Sequence, residues 1–189
     1  MHRLTRRNVL ANLAGSTVFL CPAILNAQVP APNWGEIPTD APIGADRILT
    51  MPPGPVEIDI SDLQPGDVAV VARPTDNPEY TNTGMTQYIA VLRRTDEQIA
   101  FGAAHDRPGD VQDARFMVVD LMCPHRGKAI GLTGNPEAPF ACTDQGSRHS
   151  SVFDASGYGI GGASAEEYMS FPAYSIKSDS GGAIVVSLI

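Results

Sequence analysis

A chain of 189 residues with 43% hydrophobic and 18% charged residues can bury a core of its own and has an ordinary globular composition. Its net charge of −8, with no Lys/Arg cluster outside the extreme N-terminus, argues against a nucleic-acid partner. The 18 Gly and 16 Pro, with no long window of 3.6-residue periodicity, predict many turns between short strands.

Residues 1–27 read as an export signal. The run Thr5, Arg6, Arg7, Asn8, Val9, Leu10 matches the twin-arginine pattern, a mildly apolar stretch follows, and Leu25, Asn26, Ala27 form a candidate cleavage site. The alternative is a retained membrane anchor, but the apolar stretch is short for a span and carries Asn12, Gly15 and Pro22. The expected location is therefore the periplasm, with membrane association only if the signal is retained. Cleavage would remove three Arg and no acidic residue, taking the charge from −8 to −11 and favouring basic partner surfaces.

Residues 28–45 hold Pro30, Pro32, Pro38 and Pro42 and read as an extended arm that wraps a partner or the domain's own surface. The globular domain is expected over 46–189. Apolar and β-branched runs at 58–60, 68–71, 88–92, 99–104 and 116–119 predict strands, separated by a turn at 63–67, a polar loop at 74–84 and a charged turn at 106–113. His105 sits at the edge of that last turn with no second ligand near it in sequence, so it reads as an exposed turn residue. Residues 174–177 and 183–186 read as a closing hairpin around 179–182. The expected class is all-β and antiparallel.

The densest chemistry lies in residues 123–154, CPHRGKAIGLTGNPEAPFACTDQGSRHSSVFD. Cys123 and His125 form a Cys-x-His pair, and Cys142 is followed by His149. Two thiolates and two imidazoles are enough to close one metal site. Zinc sites of the finger type usually pair Cys with Cys and His with His at short spacing, which this order does not do. The alternation Cys, His, Cys, His is the pattern in which two His replace two Cys on one iron of a [2Fe–2S] pair. With Cys21 removed in the signal, a Cys123–Cys142 disulfide or a zinc site are the plainer alternatives in an oxidising compartment. A free-standing hydrolase has little support, because no Ser or Cys nucleophile is paired with a base in a recognisable local motif.

The stretch resembles the Rieske cluster-binding motif, whose second loop usually reads Cys-x-x-His-Gly-Ser-x-Tyr/Phe-Asp. Two registers compete here. Placing Gln145 at the His position recovers Gly146 and Ser147 but offers an amide where imidazole is needed. Placing His149 there recovers Ser151, Phe153 and Asp154 at the serine, aromatic and aspartate positions, with four extra residues after Cys142. An amide oxygen is a weak, hard ligand for an iron–sulfur cluster, whereas a four-residue bulge in a surface loop costs little closure entropy. The His149 register is favoured.

The chain looks most like the small Rieske subunit of the arsenite oxidase group, which also includes the iodate reductase small subunit. What that resemblance implies is an antiparallel β-sandwich or barrel base with an inserted cluster-binding subdomain at about 116–172. It implies one [2Fe–2S] cluster per chain, with Cys123 and Cys142 on the inner iron and His125 and His149 on the outer. Ser151 would donate to a bridging sulfide. Phe153 stands where a Tyr commonly donates to a cysteine sulfur, so that donor would be missing. The two cysteines that often bridge the loops of Rieske proteins correspond to Lys128 and Asp144, so no such bridge can form. Centres of this ligation lie at about −150 to +300 mV. Phe171, Pro172 and Ala173 are a possible counterpart of the proline loop over the cluster. The implied partners are a large molybdopterin subunit that also holds a [3Fe–4S] cluster, and a soluble c-type cytochrome or small copper protein. The chain would be an electron-transfer subunit of a molybdenum oxidoreductase, not catalytic on its own. The alternatives are an iodate reductase-like complex, with electrons running the other way, or a docking subunit that has lost its cluster.

Overall fold

The computed structural model describes residues 42, 44–143, 150–178 and 182–189. The export signal, nearly all of the Pro-rich arm, and both competing ligands of the second loop, Gln145 and His149, lie outside the described residues. Eleven strands carry the described chain: β1 (Ile48–Thr50), β2 (Val56–Asp59), β3 (Val68–Pro74), β4 (Thr86–Arg93), β5 (Phe116–Asp120), β6 (Ile130–Leu132), β7 (Phe140–Cys142), β8 (Val152–Phe153), β9 (Gly159–Gly161), β10 (Tyr174–Ser178) and β11 (Ile184–Leu188). The only α-helix among the described residues is α1 (Asp96–Gly102), and two short 3₁₀ turns occupy Pro78–Thr83 and Gly162–Ser164. The fold is all-β. No described helix is long and apolar enough to cross a membrane.

Three sheets form, with strand orders β1-β3-β4-β5, β10-β11-β2 and β6-β7-β8-β9. The first is central and buried on both faces, which is why β3, β4 and β5 read in sequence as almost unbroken apolar runs. Side chains alternate across a strand, so one set (Val70, Ala72, Ala90, Leu92, Met117, Val119) enters one core cluster with Phe140, Phe153 and both cysteines. The other set (Ala69, Val71, Ile89, Val91, Phe116, Val118) enters a second cluster with Ile58, Tyr174, Val186 and Leu188 of the β10-β11-β2 sheet. Each face of the central sheet thus covers one of the two smaller sheets.

Two expectations are corrected. The run 99–104 is not a strand but falls largely within α1. Thr95 accepts from the Gln98 N–H while the Gln98 side chain accepts from the Thr95 N–H, a capping box that satisfies two backbone donors and starts the helix. The architecture is also not wholly antiparallel, because β1 runs parallel to β3. β1 is only three residues long and carries too little pattern to declare its direction.

Candidate functional site

The first loop of the Cys/His stretch leaves β5 and turns back into β6. Its path is set by short backbone bonds: the Gly127 N–H donates to the Cys123 carbonyl at 2.8 Å, the Cys123 N–H to Lys128 at 2.7 Å, and the Ile130 N–H to Leu121 at 3.0 Å. Gly127 sits at φ 61°, a conformation most side chains resist, which is why the turn after Cys-Pro-His-Arg needs glycine. The 3₁₀ turn at Pro78–Thr83 braces the loop from outside, with the Asn82 amide donating to the Gly127 carbonyl at 3.1 Å.

Cys142 closes β7. It pairs across from Ile130 in β6, and its N–H donates to the Ser151 carbonyl at 2.9 Å, while the Thr143 N–H donates to Ala129 at 3.0 Å. The 128–130 segment is therefore flanked by Cys123 on one side and Cys142 on the other. Both cysteines are buried thiols, not a disulfide, and both belong to the same apolar cluster. His125 is exposed at the tip of the first loop.

Ser151 and Phe153 are fully buried. Phe153 pairs with Phe140 across β7 and β8, so it is a core residue whatever else it does. Ser151 accepts through its hydroxyl oxygen from the Ser164 N–H at 3.0 Å. The Ser164 hydroxyl in turn lies 3.6 Å from the Cys123 sulfur. Sequence spacing gave no sign of Ser164, because it reaches the site from beyond β9.

Asp154, also fully buried, organises the exit of the second loop. One oxygen accepts from the Ser156 and Tyr158 N–H groups at 2.7 and 3.0 Å, and the other lies 2.7 Å from His105 Nδ1. His105 is thus not the exposed turn residue expected: it is half-buried, held by Asp154 and stacked on Tyr158 at 4.2 Å between ring centroids. The buried Arg94 guanidinium grips Asp106 at 2.7 and 3.0 Å, and Ser156 donates to Asp106 at 2.7 Å. Burial opposes the charge on Asp106, but the bonds from Arg94 and Ser156 outweigh it and hold the carboxyl below its usual range. This polar web fastens the turn after α1 to the segment that carries Asp154.

Among the described residues no three His, Cys, Asp or Glu side chains converge into a metal-holding group. Cys123 and Cys142 share one apolar cluster, His125 stays at the exposed tip, and His149 lies outside the described residues. Comparison of the chain with protein-family models and with curated proteins gives no match.

Proposed function

We propose that this chain is the electron-transfer small subunit of a periplasmic molybdenum oxidoreductase, carrying one Rieske [2Fe–2S] cluster on Cys123, His125, Cys142 and His149. The observation that carries the reading is the placement of Cys123 and Cys142: two buried thiols, not joined to each other, on either side of the 128–130 segment that leads into β6. The donor set fits the group. Thiolates bind the iron of such clusters, imidazole replaces them on one iron, and the fully buried Ser151 hydroxyl stands beside the Cys142 strand.

The sheet topology is compatible with a Rieske arrangement, in which β6 to β9 form the cluster-binding subdomain and β10 and β11 return to the base beside β2. When bound, the cluster holds one electron at a time. The chain's own residues would do the rest. Cys123 and Cys142, embedded among Ile130, Phe140 and Phe153, keep water from their side of the site. The exposed position of His125 suits approach of a redox partner. The negative charge of the chain favours a basic partner surface, such as that of a c-type cytochrome. Substrate chemistry would belong to a molybdopterin partner, arsenite oxidase-like or, with electrons reversed, iodate reductase-like.

The test is iron analysis with low-temperature EPR on the dithionite-reduced full chain. The expected result is about two iron atoms per chain and a signal of mixed nitrogen and sulfur ligation, both lost in His125→Ala and His149→Ala and retained in Gln145→Ala. Loss in Gln145→Ala with retention in His149→Ala moves the fourth ligand to Gln145. A folded, iron-free wild type co-expressed with its partner subunit overturns the reading in favour of a docking subunit.

A further inference from the structure

We infer that Ser164 is a positioning residue for the cysteine pair, holding the Cys123 sulfur through its hydroxyl and the Cys142 strand through its backbone, in a chain with no cysteine at Lys128 or Asp144 to bridge the two loops. The inference rests in part on the cluster reading above. Its geometry does not.

Four residues form the connection. The Ser164 hydroxyl lies 3.6 Å from Cys123 Sγ, the Ser164 N–H donates to Ser151 Oγ at 3.0 Å, and the Ser151 carbonyl accepts from the Cys142 N–H at 2.9 Å. Ser151 and Ser164 are both fully buried, where a hydroxyl without partners is costly and a bonded one is held firmly.

The backbone around Ser164 is built for close approach. A Cβ on Gly159 would lie 1.8 Å from the Ser164 carbonyl oxygen, and one on Gly162 would lie 2.2 Å from that of Ser150. Gly162 also holds φ +80° and Glu166 φ 69°, so the turn is bent on both sides of Ser164. The Glu166 and Glu167 N–H groups donate to Gly159 and Ser164, closing the turn on itself. This rigidity presents Ser164 to the two loops at once.

The consequence for Cys123 follows from charge. A hydroxyl donates to a thiolate, not the reverse, so with Cys123 ligating iron the Ser164 hydroxyl is placed to donate to its sulfur. Phe153 cannot do this, since it has no hydroxyl. Ser164 therefore supplies from the Gly162–Ser164 turn the donor that Phe153 cannot. Donors to cluster sulfurs raise the reduction potential.

Two measurements on the full-length chain test this. First, the midpoint potential of Ser164→Ala should fall by about 59 mV, a tenfold change in the one-electron equilibrium. Ser164→Cys, with a weaker donor of similar size, should fall in between. Secondly, in metal-free protein the Cys123 side chain, held in one rotamer in wild type, should populate a second in Ser164→Ala, read from its Cα–Cβ proton couplings by NMR, with the circular dichroism spectrum unchanged. An iron-loaded Ser164→Ala with wild-type potential and the wild-type Cys123 rotamer overturns the inference and leaves the cluster reading intact. An iron-free wild type overturns the cluster reading alone. The Cys123 rotamer then decides for Ser164, a second rotamer supporting it and a single one sinking it. If Ser164→Ala does not fold, Ser164→Cys carries both measurements, and a potential and a Cys123 rotamer equal to wild type count against the inference.

Discussion

At the scale of single residues, the group that bears most on solution behaviour is Asp120, at the end of β5 just before the Cys-x-His loop. Burial pushes its carboxyl up to about 6, only partly offset by bonds from Gln87, at 2.7 Å, and Tyr80. A folded-state value above the unfolded 3.8 means that the native chain binds the extra proton. Stability from this group is full below about pH 4 and is lost as pH rises to about 6. A shift of this size corresponds to about 3 kcal/mol. Asp106 and Asp113 act in the opposite sense, since their lowered values favour folding above the usual carboxylate range. The comparison must therefore be with Asp120→Asn. Urea unfolding at several pH values between 4 and 7 should show the wild type losing stability relative to that variant as pH rises, with the gap flat above about pH 7. A constant gap across the whole range would show that Asp120 keeps its ordinary titration.

At the scale of elements, legibility followed the length of the pattern. β3, β4 and β5 were readable because burial on both faces leaves long apolar runs, and the 174–188 hairpin because two apolar runs flank a Gly-rich turn. α1 was missed although its signal stood in the sequence: Thr95 followed three residues later by Gln98 outweighs the apolar character of Ile99, Ala100 and Phe101. β8 and β9, of two and three residues, hold their places by tertiary contact and leave no periodic trace. Cys123, Cys142 and Ser151 stand out in the Cys/His stretch itself, and their neighbours from elsewhere in the chain leave no such mark. Ser164 and His105 reach it through loops that only the fold brings near. The 159–164 turn offers a direct test at this scale. In Gly162→Ala the new methyl has to displace the backbone of Ser150 and Ser151 at a positive φ. We expect a loss of roughly 2–4 kcal/mol in urea unfolding together with a drop in iron content. A variant as stable as wild type would mean that the turn moves aside freely.

At the scale of the whole molecule, the last strand has the widest reach. β11 is central in its sheet, pairing with β10 on one side and with β2 on the other, and it contributes Val186 and Leu188 to the second core cluster. Deleting residues 184–189 should leave two strands without a partner and one face of the central sheet uncovered. We expect such a chain to lose its cooperative thermal transition and to be cut by a dilute protease within the remaining strands. Retention of a sharp transition would assign the stability to β1, β3, β4 and β5 alone. The same pairing has a temporal side. Asp59 pairs with Val185, far along the chain from it. Closure of this sheet therefore waits on contacts remote in sequence, which form slowly. A folding molecule spends that interval with Ile58 and the second face of the central sheet open to water, so refolding at high protein concentration meets its competing association there.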